Sequence, residues 1–281
     1  MPARILWQDI WSLEGFPSNV SIEPLYELLN EFIFKKVARD DTKLEIRHPK
    51  RSSFMVMSPY LELLNTSGVI EGIIQAEAEG FDAAIIGCGN DPGLYEAREA
   101  VSIPVVGPTE TAMHIACFLG GKFAVITIVD RLIPFVERNL KLYGLQDRAI
   151  SRRPVRTTDP GIDFIEFFKD PGLFLDQITT IASEHIIPSF EKEAKECIAE
   201  GAEVIVTACC ILGPLLTMAG YNKVRNTEVP VIDCASVAIK MAELLSDIKK
   251  TLGISTSKAL TYRSLPKEIM DKMSKPFTVS K

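Results

Sequence analysis

The stretch A-E-G-F-D-A-A-I-I-G-C, from Ala78 to Cys88, returns later in the chain as A-E-G-A-E-V-I-V-T-A-C, from Ala199 to Cys209. The two align without a gap: Ala-Glu-Gly, one variable residue, an acid, five mostly apolar positions and a cysteine. A continuous apolar run of this kind reads as a strand buried on both faces of a parallel sheet. Each copy is followed by a second matching piece, I-P-V-V-G from Ile103 to Gly107 and V-P-V-I-D from Val229 to Asp233. A repeat of about half a chain predicts two related domains, because solenoid periods run only ~20–50 residues.

Outward from these runs, strands and helices alternate as in an α/β protein. Arg4 to Gln8 reads as a first strand. Ile22 to Val37 carries Leu25, Leu28, Leu29, Phe32 and Ile33 at helical spacing. Leu44 to His48 is a short strand closed by Pro49. Tyr60 to Glu79 is helical, with Gly80 where a helix ends, and Asp82 to Gly87 is the buried strand. The second half predicts a helix over Thr109–Leu119 stopped by Gly120-Gly121, a strand over Phe123–Ile128, and a helix over Arg131–Tyr143 ended by Gly144. Arg153 to Thr157 reads as a strand, and Pro160-Gly161 and Pro171-Gly172 as loops. Leu173 to Glu200 reads as mostly helix with a new turn or kink at Pro188. Val204–Ala208 and Val229–Asp233 read as strands and Ala235–Leu245 as a helix. The expected architecture is α/β: two pseudo-symmetric domains, each a short, mainly parallel sheet flanked by helices, with a cleft between them. The expected boundaries are 1–110 plus 234–281 for the first domain, whose last helix crosses back onto it, and 111–233 for the second.

The chain has 281 residues, 47% of them hydrophobic, and a formal net charge of −6. That charge gives nucleic acid or an anionic membrane no general attraction. No apolar run approaches the ~20 residues that span a bilayer, and the N-terminus does not read as a secretory signal. The expectation is a cytoplasmic enzyme with a small-molecule substrate, a homo-oligomer without nucleic-acid or membrane partners. From about Leu252 onward basic residues dominate, and Pro266 and Pro276 interrupt any long helix; this tail reads as a surface or subunit-contact extension.

Six cysteines occur, at 88, 117, 197, 209, 210 and 234. They show no CxxC spacing and no histidine cluster, so no zinc site is expected. Cys117 and Cys197 fall in helical segments as packing residues, and Cys234 follows a strand as a core or loop residue. Cys88 and Cys209 are different, because both end a parallel strand, where ligands bind in open α/β sheets. If the halves face each other, one cleft has a thiol on each wall. A stereocentre held between them loses its proton to one thiol and regains it from the other on the opposite face. Cysteine suits this work, since a thiol of pKa ~8.5 is partly ionised near neutrality and helix N-termini lower that value. The carbanion needs donors at its developing oxyanion, each worth ~3–4 kcal/mol, and Gly89–Gly93 and the Cys210-Ile211 peptides are placed to offer them.

The run G-C-G-N-D-P-G-L-Y-E-A-R-E, Gly87 to Glu99, resembles the first active-site segment of the hydantoin racemases, within the aspartate/glutamate racemase superfamily. P-V-V-G, E-T-A-M-H-I-A, F-A-V-I-T-I, Y-G-L at Tyr143, G-A-E-V-I-V-T-A-C and P-V-I-D agree in order and spacing, over roughly Arg4 to Leu245. The resemblance implies a cofactor-independent racemase with Cys88 and Cys209 as the acid/base pair. It implies Thr127, Asn90 and Ile211 beside the substrate, with Trp11, Gly89, Asp91 and Cys210 completing the pocket. Asp9-Ile10-Trp11 stands where hydantoin racemases usually carry Asn-Pro-Asn, and Gly89-Asn90 where an aromatic-glycine pair is usual. Hydantoin, allantoin and amino-acid substrates stay open. Maleate-type isomerisation and non-catalytic ligand binding are the alternatives; a one-thiol decarboxylase fits the pair less well, and a Cys209–Cys210 disulfide would be strained. Glu110 and His114, one helical turn apart, read as a surface pair or helix start rather than as groups that tune a thiol.

Overall fold

The computed structural model describes residues 1–13, 26, 27, 29–53, 56–159, 180 and 182–274. Strand β1 is Ala3–Asp9, and after the described part of the first helical segment comes a π-helical turn, Asn30–Phe34, continued by one α turn, Lys35–Val37. Leu25 and Leu28 of the expected helix lie outside the described residues. There follow β2 (Thr42–Arg47), α1 (Pro59–Ala78), β3 (Ala83–Gly87), α2 (Leu94–Ala100), β4 (Val105–Val106) and α3 (Pro108–Leu119). The second half has β5 (Phe123–Thr127), α4 (Ile133–Leu142), β6 (Val155–Thr157), α5 (Ile187–Ala199), β7 (Val204–Thr207), α6 (Leu212–Met218) and β8 (Val231–Ile232). Helices α7 (Cys234–Leu252) and α8 (Lys267–Ser274) close the chain.

The strands form two four-stranded sheets of identical plan, β2-β1-β3-β4 and β6-β5-β7-β8, with all ladder pairs parallel. The two cysteine-ending strands, β3 and β7, occupy the same place in their sheets, and both are buried throughout. The glycine of each Ala-Glu-Gly copy has a local cause: Gly80 and Gly201 take φ of +81° and +97°, a left-handed conformation that ends the preceding helix and that side chains with a Cβ resist. Pro188 sits in the first turn of α5, after a π-helical turn at Ala182–Ile186, where proline's missing N–H costs nothing. The Pro160-Gly161 and Pro171-Gly172 loops and the start of the Leu173–Glu200 segment lie outside the described residues.

Three expectations change. Val229–Asp233 pairs as a strand only over Val231–Ile232. Cys234, read as core or loop, is a fully buried core residue at the start of α7, and that helix runs a further seven residues past Leu245. Its N-terminus is capped by Asp233, whose carboxylate accepts from the Ala235 N–H at 3.0 Å, as a helix start requires. The helices α2 and α6, which directly follow the two cysteine loops, were not foreseen; at seven residues each they are too short to show a helical period.

One apolar core runs through both halves. Ile5, Trp7, Ala83 and Ile85 from one face of the first sheet join Val125, Ile126, Ile205 and Val206 of the second through Ala112, Met113 and Ala116 of α3 and Ala235, Ala238, Ile239 and Ala242 of α7. The small residues on α3 and α7 let those two helices pack closely together and against the strands. Full burial of each larger aliphatic side chain contributes about 1.5–3 kcal/mol. The opposite face of the first sheet packs Leu6, Ala84 and Ile86 against Val69, Ile73 and Ala76 of α1. Helix α7 grips the first half by charge as well: the Glu243 carboxylate accepts from the Arg39 N–H and the Thr42 hydroxyl, both at 2.7 Å, and Lys250 pairs with Asp82 at 2.8 Å.

The chain beyond α7 lies on the first half. Lys258 Nζ donates to the carbonyls of Arg98, Glu99 and Val101 at 2.5, 2.8 and 2.6 Å, satisfying the C-terminal carbonyls of α2 that no helical N–H reaches.

Candidate active site

The two cysteines leave their strands and meet across the interface of the halves. A Cβ built on Gly89 would lie 2.9 Å from the Cys209 Cα and closer still to the Ala208 carbonyl oxygen. The residue after Cys88 must therefore be glycine, because the second strand's end occupies the space a side chain would need. Electrostatically the Cys88 thiol senses Cys209 directly. All the cysteines are free thiols.

The loop after Cys88 is held at nearly every polar atom. It turns sharply, with Cys88 N–H on the Ile86 carbonyl at 2.8 Å and Asp91 N–H on the Cys88 carbonyl at 3.1 Å. The Gly89 carbonyl accepts from the Thr109 hydroxyl at 2.6 Å, and the Asn90 carbonyl from Asn139 Nδ2 at 2.7 Å. The Asn90 amide donates to Glu62 at 3.0 Å. Asp91, at φ +50°, turns its carboxylate onto the N-terminus of α3, accepting from the Thr109 and Glu110 N–H groups at 3.1 and 2.8 Å and from the Tyr143 hydroxyl at 2.8 Å. The side chains of Asn90 and Asp91, expected at the substrate, are thus committed within the protein and buried. Asn90 still offers its backbone N–H, which points at the Cys88 sulfur.

The loop after Cys209 is built differently. Helix α6 begins three residues past the cysteine, so the Ile211 and Leu212 N–H groups both face the Cys209 sulfur, the latter at 3.5 Å. Cys209 is half-buried, whereas Cys210 is buried with its thiol on that of Cys234. Thr127, at the end of β5, is fully buried with its hydroxyl on the Ala208 carbonyl at 3.3 Å, which places it against the same strand end. Trp11 is partly buried against the cluster that contains Ile10 and Cys88, and its N–H donates to Asp9 Oδ1 at 2.7 Å.

Burial governs the charge state of these groups. It pushes the Cys209 thiol up to about 11, against the two N–H groups that favour the thiolate. It raises Cys88 well above the usual thiol range; the Asn90 N–H opposes this, and the neighbouring Glu62 carboxylate adds to it. Asp9 is pushed up to about 8 by burial, against the Trp11 and Ile10 N–H groups. In neutral form it is isosteric with the asparagine that the resemblance leads one to expect there. Glu110, read as a surface group, pairs with Arg98, and His114 Nδ1 lies 2.8 Å from the Glu110 carbonyl. Among the described residues no three His, Cys, Asp or Glu side chains are gathered as for a metal ion, and no helix is long and apolar enough to cross a membrane. The residues that sequence reading missed are Glu62, Thr109, Arg138 and Asn139. They sit on helix faces far along the chain from either cysteine, and no local pattern marks them.

Comparison with known proteins gives a consistent picture. The family model for Asp/Glu/hydantoin racemases matches residues 18–242. The chain is similar to a hydantoin racemase of a Pseudomonas species (strain NS671), 34% identical over 236 residues that cover 83% of this chain and 84% of the relative. Among solved structures it resembles allantoin racemase from Pseudomonas fluorescens, with a TM-score of 0.68 and 28% identity over 94% of this chain and 98% of that one. Allantoin racemase from Klebsiella pneumoniae shares the fold, with a TM-score of 0.69 and 23% identity over 94% of both chains.

Proposed function

The chain belongs to the Asp/Glu/hydantoin racemase family and is an isomerase of that kind; from this premise we propose that it inverts the stereocentre of a 5-substituted hydantoin, with Cys88 and Cys209 as the two acid/base groups and no cofactor. The observation that carries the reading is the approach of the two strand ends, with Gly89 packed on the Cys209 backbone. A ring carbon lodged between the sulfurs has one thiol on each face. One cysteine, as thiolate, takes the C5 proton; the other, as thiol, delivers its own from the opposite side. The atoms balance within one turnover, because the enzyme ends with the proton on the first sulfur and the charge on the second.

The raised thiol pKa values suit a weak carbon acid. A base whose pKa lies closer to that of the C–H bond transfers the proton with less uphill driving force, at the cost of a smaller ionised fraction. Burial supplies that basicity. The N–H groups of Asn90, Ile211 and Leu212 keep the thiolate reachable, since hydrogen bonds to the charged form favour it. The nearby peptides supply donors for the enolate oxygen that forms when C5 loses its proton. Trp11, packed against the apolar cluster that includes Cys88, is the side chain we assign to the 5-substituent.

The test follows optical rotation of single enantiomers of 5-benzylhydantoin, 5-isopropylhydantoin, allantoin and glutamate. Loss of rotation for the hydantoins, with deuterium from D₂O at C5, is the expected result. Turnover of free amino acids alone would move the substrate assignment, and rotation that stays constant with every substrate would remove the reading.

A further inference from the structure

We propose that Glu62 is a positioning residue for Cys88, held from the second half of the molecule by Arg138 and acting through Asn90 to set how readily the Cys88 thiol ionises. The proposal rests on the reading of Cys88 as one of the two acid/base thiols, and nothing in the sequence around either cysteine points to it.

Glu62 lies in the first turn of α1 and is only 6% exposed. A carboxylate so buried is expensive unless its oxygens are matched, and both are. Oε2 accepts from the Asn90 amide at 3.0 Å, and Oε1 from Arg138 Nη1 at 3.0 Å. Arg138 stands on α4 of the second half with about half of its side chain in solvent. Its neighbour Asn139 holds the Asn90 carbonyl, so Asn90 is clamped between α1 and α4 by two groups, Glu62 and Asn139, with Arg138 bracing the first. What that clamp fixes is the Asn90 peptide, whose N–H is the donor facing the Cys88 sulfur. Glu62 therefore acts in two opposed ways: its bond to Asn90 steadies a donor that favours the thiolate, and its negative charge opposes the thiolate.

The other groups facing Cys88 are Asp91, Cys209 and Cys210. The Asp91 carboxylate is turned away onto two N–H groups of α3 and the Tyr143 hydroxyl, and the two thiols are neutral below their own titrations. Of the two carboxylates whose charge opposes the Cys88 thiolate, Glu62 has the larger influence, and Arg138 is the cation that tunes it. Burial raises the Glu62 carboxyl while Arg138 lowers it, so in the alkaline range where thiols titrate the group is ionised.

The experiment is residue-resolved alkylation with iodoacetamide, measured as a function of pH by peptide mass spectrometry on the substrate-free full-length protein. Glu62→Gln keeps an acceptor for Asn90 and removes the charge. It should move the Cys88 midpoint down by about one pH unit, the usual scale for a like charge close by, and leave Cys209 unmoved. Arg138→Gln, at a half-exposed position, should move the Cys88 midpoint up. An unshifted Cys88 in both variants, or equal shifts at Cys88 and Cys209, overturns the assignment. Racemisation with an unshifted Cys88 profile removes the role of Glu62 alone; a shifted profile without racemisation of any substrate removes the racemase reading alone.

Discussion

The halves repeat each other in strand order, in the glycine that ends the helix before the key strand, and in the cysteine that ends that strand, yet the two thiols live in unlike surroundings. In the second half a helix starts three residues past Cys209 and aims two N–H groups at its sulfur. In the first, Asn90-Asp91-Pro92-Gly93 delays α2 until Leu94, leaving Cys88 a single N–H and a carboxylate neighbour. The stretch most recognisable in sequence, C-G-N-D-P-G-L, spends its polar groups on bracing the loop. Duplication preserves the frame, and the first turn after each strand sets the electrostatics. Two N–H groups favour the Cys209 thiolate, where one favours that of Cys88 and a carboxylate opposes it.

The strongest way to break this comparison is to remove each thiol in turn. Cys88→Ser and Cys209→Ser should each lower racemisation by ~10³-fold or more, within the range that positioned acid/base groups contribute, measured polarimetrically on the preferred hydantoin. Cys210→Ser should stay active, because its thiol is turned to Cys234. If Cys210→Ser is inactive while Cys209→Ser turns over, the pairing of the halves is wrong.

A second measurement is the pH profile. Both thiols are raised, so the free enzyme is almost wholly neutral at pH 7, and kcat/KM should climb ~tenfold per pH unit above neutrality as thiolate appears, flattening toward the Cys209 value of about 11. A bell centred near neutrality would contradict the assignment. The equilibrium constant of a racemisation is one, so kcat/KM is equal for the two enantiomers. The inequality of the thiols shows instead in kcat and KM taken separately, which should differ between enantiomers by the same factor.

Smaller effects test the asymmetry of the residue after each cysteine. Gly89→Ala drives a methyl group into the Ala208–Cys209 backbone and should cost about 1–3 kcal/mol in denaturant unfolding, the usual scale for overpacking. Cys210→Ala, at the matching position, should cost less, since the site already holds a side chain. Subtlest is the loop brace. Burial pushes Asp91 up to about 7 from its ordinary 3.8, so its folded value lies above the unfolded one. Its contribution is full below about pH 4 and is lost as the pH rises through 7. Asp91→Asn should flatten that part of the Tm-versus-pH curve, and an unchanged slope would free Asp91 for a role toward substrate.

The frame was legible because burial on both faces writes itself into sequence as a continuous apolar run, and two such runs in register announce a duplication. The left-handed Gly80 was legible from its place at the end of a helical run, and the repeat carries the same glycine to Gly201. The cysteines were singled out by their place at strand ends. What escaped was the bracing: α2 and α6 are too short to show periodicity, Glu62 lies 26 positions before the thiol it faces, and Arg138 and Asn139 come from another helix in the other half. The family resemblance put Asn90 and Asp91 beside the substrate, while their side chains turn back into the protein and leave the loop's peptides to face the thiol. A resemblance in sequence does not say which way a loop's side chains face.

Helix α7 bears on how the machine moves. Rooted beside the second sheet, laid along the first, and fastened at its far end by carboxylates and a lysine, it works as a spacer fixed between two jaws. A rod so placed would hold the gap between the two strand ends fixed. Under the proposed two-thiol mechanism the substrate would then stay in place while its stereocentre flattens and inverts, and only protons would pass between ring and walls.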